Sequence, residues 1–152
     1  MKKSISLFLF IVLVMGFLCS SCRQNTPAPT ESPETEEAVM HLLIGKTEVP
    51  VIWENNESVK ALQTLAKEGL VISMSMYGGF EQVGALGQSL PRNDSRITTE
   101  AGDIVLYSGN QIVIFYGSNS WAYTRLGHIR LSAGDMAKLL GAGDVTVTIT
   151  FE

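Results

Sequence analysis

The segment Tyr77-Gly78-Gly79-Phe80-Glu81-Gln82 gathers two aromatic rings, a carboxylate and an amide around a glycine pair. Adjacent glycines allow positive φ and close backbone approach, so a ligand can meet the main chain there, with Glu81 and Gln82 as polar handles at the rim. The competing reading is a tight turn or bulge that closes a sheet. Tyr107, Phe115 and Tyr123 add aromatic surface suited to an apolar pocket, although alternating aromatics on strands are more often packing than pocket. Arg92 and Arg125 offer fixed cationic donors, and a solvated or ion-paired surface role suits them equally well.

Other chemistries find no support in the spacing. Gly84-Ala85-Leu86-Gly87 lacks the helix start and acidic partner of a dinucleotide fingerprint, and no Gly-Lys-Ser/Thr loop is present. Ser108-Gly109 and Gly117-Ser118 lack the strand–elbow–helix setting of a hydrolase nucleophile. His41 and His128 have no second ligand two or four residues on, so no metal is expected, and no cofactor. Asn56-Glu57-Ser58 and Asn93-Asp94-Ser95 match glycosylation sequons; the lipobox-like N-terminus argues for a bacterium, where they mean little. Eleven basic residues face fifteen acidic ones, with no block of Lys or Arg, and this argues against nucleic-acid binding.

The N-terminus carries a different kind of chemistry. Met1-Lys2-Lys3 precedes an apolar run from Ile5 to Leu18, too short for a comfortable membrane span, which needs roughly 20 residues. Leu18-Cys19-Ser20-Ser21-Cys22 follows and resembles the lipobox of bacterial lipoproteins, with Cys19 where Leu is preferred. The resemblance implies a signal peptide over 1–21 and lipidation of Cys22; the alternative is an uncleaved anchor helix. Either reading places the remainder outside the cytoplasm, lipid-anchored or anchored by its helix to the bacterial cell membrane. With Cys19 removed and Cys22 acylated, no thiol remains for a disulfide or a nucleophile. Loss of Lys2 and Lys3 leaves nine bases against fifteen acids, a balance of −6. Residues 22–38, rich in Pro, Thr, Ser and Glu, are expected to form a disordered tether whose acidic end anionic headgroups repel.

The elements that must position the aromatic and charged candidates lie in 39–152. Roughly 110 residues suffice for one domain with a real core. Val39–Ile44, Gly45-Lys46 and Thr47–Trp53 read as a hairpin, with Pro50 requiring an edge or a bulge. Val59, Leu62, Leu65 and Ala66 recur at helical spacing, which predicts a helix over 57–68 with N-cap candidates at Asn55, Asn56 and Ser58 and a glycine stop at Gly69. A strand over 70–77, a Gly-rich segment from Gly78 to Thr99, and a hairpin of 104–107 with 111–116 come next. Residues 121–129 read as extended, Ser132 and Asp135 cap a short helix to Leu140, and 145–151 alternate as a last strand. Many short strands with two helices point to a mainly β, closed or nearly closed barrel in a single domain.

Met74–Gly84, Leu90-Pro91-Arg92, Ala101–Tyr107, Gln111–Tyr116 and Leu126-Gly127-His128-Ile129 together resemble the small bacterial cyclophilin-like domain, in this order of elements, over nearly all of 39–152. The resemblance implies a barrel akin to the peptidyl-prolyl isomerase fold. It does not by itself imply isomerase activity. True cyclophilins line their proline pocket with Arg, Phe, Met, Gln, Trp and His. Here Phe80, Gln82 and Met76 offer similar side chains, but no arginine precedes them at the expected place, and the nearest candidates are Arg92 and Arg125.

Prolyl isomerisation needs an apolar pocket and a donor that stabilises the twisted amide, so Arg92 and Arg125 are the catalytic candidates should the activity exist. The leading expectation is a membrane-anchored, extracytoplasmic domain that binds a peptide, protein segment or small ligand in a cleft at the barrel side, through Tyr77, Phe80, Glu81, Gln82, Tyr107, Phe115 and Tyr123. The alternatives are an extracytoplasmic prolyl isomerase and a structural accessory subunit of an envelope complex. An arginine facing an open apolar pocket favours the isomerase; an occluded cleft with exposed apolar surface elsewhere favours the accessory subunit.

Overall fold

The structure, a computed structural model, describes residues 38–152. The expected signal peptide, Cys22 and nearly all of the expected tether therefore lie outside the described residues. The elements in chain order are β1 (Met40–Ile44), β2 (Thr47–Val49), β3 (Val51–Trp53), α1 (Glu57–Ala66), β4 (Leu70–Tyr77), β5 (Glu81–Ala85), β6 (Ser95–Thr98), β7 (Asp103–Tyr107), β8 (Gln111–Phe115), β9 (Ser120–Ile129), α2 (Ala133–Leu140) and β10 (Val145–Phe151). Nine strands pair in the order β2-β1-β10-β4-β5-β8-β7-β9-β3, and β6 pairs with β9 beside this path. All pairings are antiparallel.

Pro50 explains how the sheet closes. The expected second strand of the first hairpin divides at this residue, since proline has no N–H for a ladder. Its two halves separate: β2 stays on β1, and β3 crosses to β9, so consecutive segments form the two ends of the path. The Pro50 carbonyl accepts from Arg130 N–H at 2.8 Å, which fixes the corner. The result is a nearly closed β-barrel, as the sequence leads one to expect.

Alternation then sorts side chains to two faces. Leu42, Ile72, Met74, Ile104, Leu106, Ile112, Ile114, Val147 and Ile149 fill the interior, all essentially inaccessible. Each fully buried aliphatic side chain of this size contributes about 1.5–3 kcal/mol by leaving water. Gly84 belongs to the same interior face, and its missing Cβ lets the β4 side chains Ile72 and Met74 lie against the β5 backbone.

The helices plug the barrel. In α1, Asn56 is the N-cap: its side-chain oxygen accepts from Val59 N–H at 2.9 Å, while its amide donates to the Arg125 carbonyl at 2.9 Å. Val59, Leu62 and Ala66 face the core. Gly69, at φ +80°, ends the turn and donates to the Ala66 carbonyl at 3.0 Å. In α2 the Ser132 cap accepts from Asp135 N–H at 3.2 Å, and Met136 and Leu140 enter the core. Among the described residues no helix is long and apolar enough to cross a membrane.

Candidate functional site

The Gly-rich segment after Tyr77 supplies the site. It contains β5 as well as turns: Gly78 and Gly79, at φ +62° and +75°, reverse the chain, and the ladder resumes with Tyr77 opposite Glu81. The next pairing sets Glu81 opposite Phe115 and Val83 opposite Val113, and Val113 in turn faces Val105. Side chains of this register point away from the barrel interior. They form a second, smaller core of Val105, Val113, Phe115 and Tyr123 on the outer face, with Phe80, Val83, Ile97 and Tyr107 packed on it.

Over this layer lies an open cavity of about 320 Å³. Val83 and Val113 form its base. Tyr77, Tyr107, Trp121 and Tyr123 are its aromatic walls, and Glu81, Gln111 and Asn119 are its polar members. Tyr77 is 66% exposed and Trp121 53%, so the mouth carries large rings in contact with water. The deeper rings are fixed by one another. Tyr123 meets Tyr107 edge-on at 5.9 Å between centroids and Phe115 edge-on at 5.7 Å, while Phe80 stacks on Phe115 at 6.4 Å. Asn119 is held on both sides by Thr99, and its amide donates to the Tyr123 hydroxyl at 3.1 Å.

Glu81 is the chemical oddity of the site. It is only 6% exposed, and its Oε2 is buried without a hydrogen-bond partner. Among the described residues it is the sole charged side chain lining the cavity. Burial raises its carboxyl above the ordinary value, because water no longer stabilises the anion. The Tyr123 hydroxyl is also raised, first by its own burial and then by the charge of Glu81; the Asn119 hydrogen bond opposes this, and Tyr107 adds slightly to it.

The expected ligand-binding residues part company here. Tyr77, Glu81, Tyr107 and Tyr123 line the cavity; Phe80 and Phe115 support it from below. Gln82 does not reach the rim. As the neighbour of Glu81 it points into the barrel, wholly buried, and its amide donates at 2.7 Å to both the Leu140 and Gly143 carbonyls, closing the C-terminus of α2. Glu81 itself belongs to the deep part of the site and not to its edge. Val83, Gln111, Val113, Asn119 and Trp121 are the lining residues not anticipated. Period-two alternation backward from Phe115 reaches Val113 and Gln111, and backward from Tyr123 it reaches Trp121, so the signal for three of them was present.

Arg92 and Arg125 are elsewhere. Both line a second groove, of about 540 Å³, between the start of α1, the Pro91–Ser95 segment and β9, where no aromatic side chain is present. Arg92 is 3.5 Å from Asp94, and Arg125 is 3.3 Å from Asp103. The structure therefore does not bring either guanidinium to the aromatic cleft.

His128 is less isolated than its sequence neighbours imply. Its ring meets Asp103 at 2.9 Å, and Glu100 completes a group whose donor atoms lie within 4.8 Å of one another. The buried Asp103 carboxylate already accepts from the Glu100 N–H at 3.0 Å and pairs with Arg125. These contacts tie β7 to β9 where the register shifts between Ile104 and Val105.

No curated protein matches the chain. Residues 42–152 match the profile of the cyclophilin-like family. That span runs from within β1 through β10 and takes in both helices that plug the barrel, and the chain belongs to the cyclophilin-like family.

Proposed function

We propose that this domain is a binding module whose ligand, a small molecule or a peptide segment, occupies the cleft on the outer face of the barrel. The observation that carries the reading is the open cavity with four aromatic walls around one buried, unpaired carboxyl. Ligand sites are concave, mostly apolar, and carry few polar groups that fix orientation. Exposed rings at the mouth and interlocked rings below provide a preformed site of this kind. The cleft is open, which speaks against a purely structural accessory subunit. In the same proposal the chain is exported and tethered to a bacterial membrane through Cys22, a reading that rests on the sequence of residues 1–22.

The test is ligand-observed NMR with a fragment collection, using the full chain in a neutral detergent. Compounds that bind wild type and are lost in Trp121→Ala and Tyr107→Ala support the cleft. Compounds insensitive to both substitutions refute it. Radiolabelled palmitate incorporated by wild type and not by Cys22→Ser supports the tether.

Prolyl isomerisation is the second reading, favoured by the apolar base of the cleft, which suits a pyrrolidine ring. It lacks a cationic donor there, since Arg92 and Arg125 line the other groove. Catalysis of peptide cis–trans exchange by the full chain, abolished by Arg92→Ala or Arg125→Ala with folding intact, is the result that restores it.

A further inference from the structure

If the cleft is the ligand site, the reading on which this inference rests, its chemistry narrows the ligand further than its shape does. A carboxyl at the bottom of an aromatic cavity is costly unless something compensates it. The main chain does not: Glu81 accepts no hydrogen bond from the described residues, and Oε2 is sealed without a partner. No side-chain cation does so either. The ionisable groups facing Glu81 are Tyr77 from β4, Tyr107 from β7 and Tyr123 from β9, while β5 and β8 contribute Val83, Gln111, Val113 and Phe115. No Lys, Arg or His is among them. Of the two amide side chains lining the cavity, Asn119 spends its amide on the Tyr123 hydroxyl, and Gln111 makes no hydrogen bond to Glu81.

A core built only for packing has a simple remedy for this position, a leucine or methionine. The same face already carries Val83, Val105 and Val113. A carboxyl retained among them, lining an open cavity, has a use only when a partner arrives from solvent. The surrounding groups specify that partner. Four electron-rich rings, Tyr77, Tyr107, Trp121 and Tyr123, line the cavity together with this one carboxyl. Aromatic faces attract cations through the ring quadrupole, most strongly when the cation is poorly hydrated and carries alkyl groups. An inorganic ion has no use for four rings, and a neutral amide leaves the carboxyl uncompensated. A guanidinium makes its strongest pair with a planar, bidentate acceptor, and with Oε2 sealed Glu81 does not offer one.

From this we infer that the cleft recognises an organic ammonium group, a primary or methylated amine on a short alkyl stem, paired with Glu81 and surrounded by the Tyr77, Tyr107, Trp121 and Tyr123 rings. The stem lies on Val83 and Val113. A free alkylamine and a lysine side chain of a peptide share this chemistry, and the cavity volume of about 320 Å³ accommodates either head group. Burial raises the Glu81 carboxyl above its ordinary value, and a cation beside it favours the ionised form that pairs with it. Affinity therefore falls as acidification protonates Glu81.

The experiment titrates the full chain in neutral detergent and amine-free buffer. The probes are tetramethylammonium, n-butylammonium, Nα-acetyl-lysine methylamide and its Nε-trimethyl form. Neutral comparators are n-pentanol and N-acetyl-alanyl-proline amide. Indole and tyrosine NMR signals report the site. The expected result is that the ammonium probes shift Trp121 and Tyr123, while the neutral comparators bind far more weakly. Glu81→Gln, which keeps the shape, weakens them about 10- to 100-fold, as loss of a hydrogen bond to a charged group does. Trp121→Ala, at an exposed wall where folding is not at risk, weakens them about 2- to 30-fold. Affinity drops at acid pH in wild type and stays flat in Glu81→Gln. A free amine that binds better than the lysine amide assigns a small-molecule source, and the reverse order assigns a peptide source; both support the inference. Equal binding of charged and neutral probes, unchanged in Glu81→Gln, overturns the ammonium assignment and leaves the cleft as a neutral site. Absence of any shift at cleft residues with every probe overturns the ammonium assignment and counts against the cleft as well.

Discussion

Replacing Glu81 by methionine should make the empty protein more stable. The wild-type side chain is 6% exposed, accepts no hydrogen bond and has one oxygen fully enclosed. An unsatisfied buried polar group costs about 1–3 kcal/mol. Methionine removes that cost, fills a similar volume without branching, and joins the valines already on this face. For a domain of this size the gain corresponds to a rise in Tm of roughly 4–12 °C. The pH dependence sharpens the expectation. Burial raises the carboxyl in the folded state above its value in the unfolded chain. Between the two values the folded state holds a proton that the unfolded state has released, so wild-type stability declines as pH rises through this window. The advantage of Glu81→Met is therefore largest at pH 8 and shrinks toward pH 4.5. The assay is thermal unfolding by circular dichroism of both proteins, in phosphate, borate and acetate, since amine buffers supply the inferred ligand. A variant that melts at or below the wild-type temperature at pH 8, or an advantage that grows on acidification, refutes the reasoning.

Other parts of the structure give three further expected outcomes. Gly84→Ala places a Cβ against the Ile72 branch methyl, 2.7 Å from Met74 Sδ and 3.2 Å from the Ser73 carbonyl; overpacking of this kind lowers stability by about 1–3 kcal/mol, read as a reduced urea midpoint with unchanged slope. Asn56→Ala removes the α1 cap and the bond to the Arg125 carbonyl, at a cost of about 1–2 kcal/mol in the same measurement. Glu81→Gln removes the charge that is the second cause of the raised Tyr123 hydroxyl, so that phenol ionises at lower pH in an ultraviolet titration, without reaching the ordinary value while its burial persists.

The sequence disclosed most of the barrel because most strands have one face in the interior and one toward solvent. Leu70–Tyr77 and Val145–Phe151 alternate plainly, and Asn56, Gly69, Ser132 and Gly141 punctuate the helices they bound. β5 is hidden in the sequence for a physical reason. Its outer face lies beneath the cleft and its inner face meets α2, so polar Glu81 and Gln82 are both buried and hydropathy carries no period. The same alternation sends these neighbours to opposite faces, and reading them as a pair of rim groups assigns Gln82 to the wrong side. β6, short and polar, pairs only with β9, a long-range contact that local patterning does not announce. Pro50 is visibly incompatible with a continuous ladder, but the transfer of Val51–Trp53 to the opposite end of the sheet depends on residues 127–129. In the site, the aromatic walls are visible as residue types. What linear order conceals is the separation of Arg92 and Arg125 from them, since Arg125 lies only two residues from Tyr123 yet turns to Asp103.

The pairing of β1 with β10 sets a schedule for folding. Met40 lies opposite Phe151 and Ile44 opposite Val147, so the first strand of the barrel finds its partner only when the last one is available. Until then β1 and β4, which flank β10 in the finished sheet, each lack a neighbour along one edge. Non-local closure of this kind makes the entropy of joining the ends precede most of the stabilisation, which slows folding relative to helical domains of equal length. A nascent chain of this design cannot join β1 to β4 through β10 until Val145–Phe151 have been made.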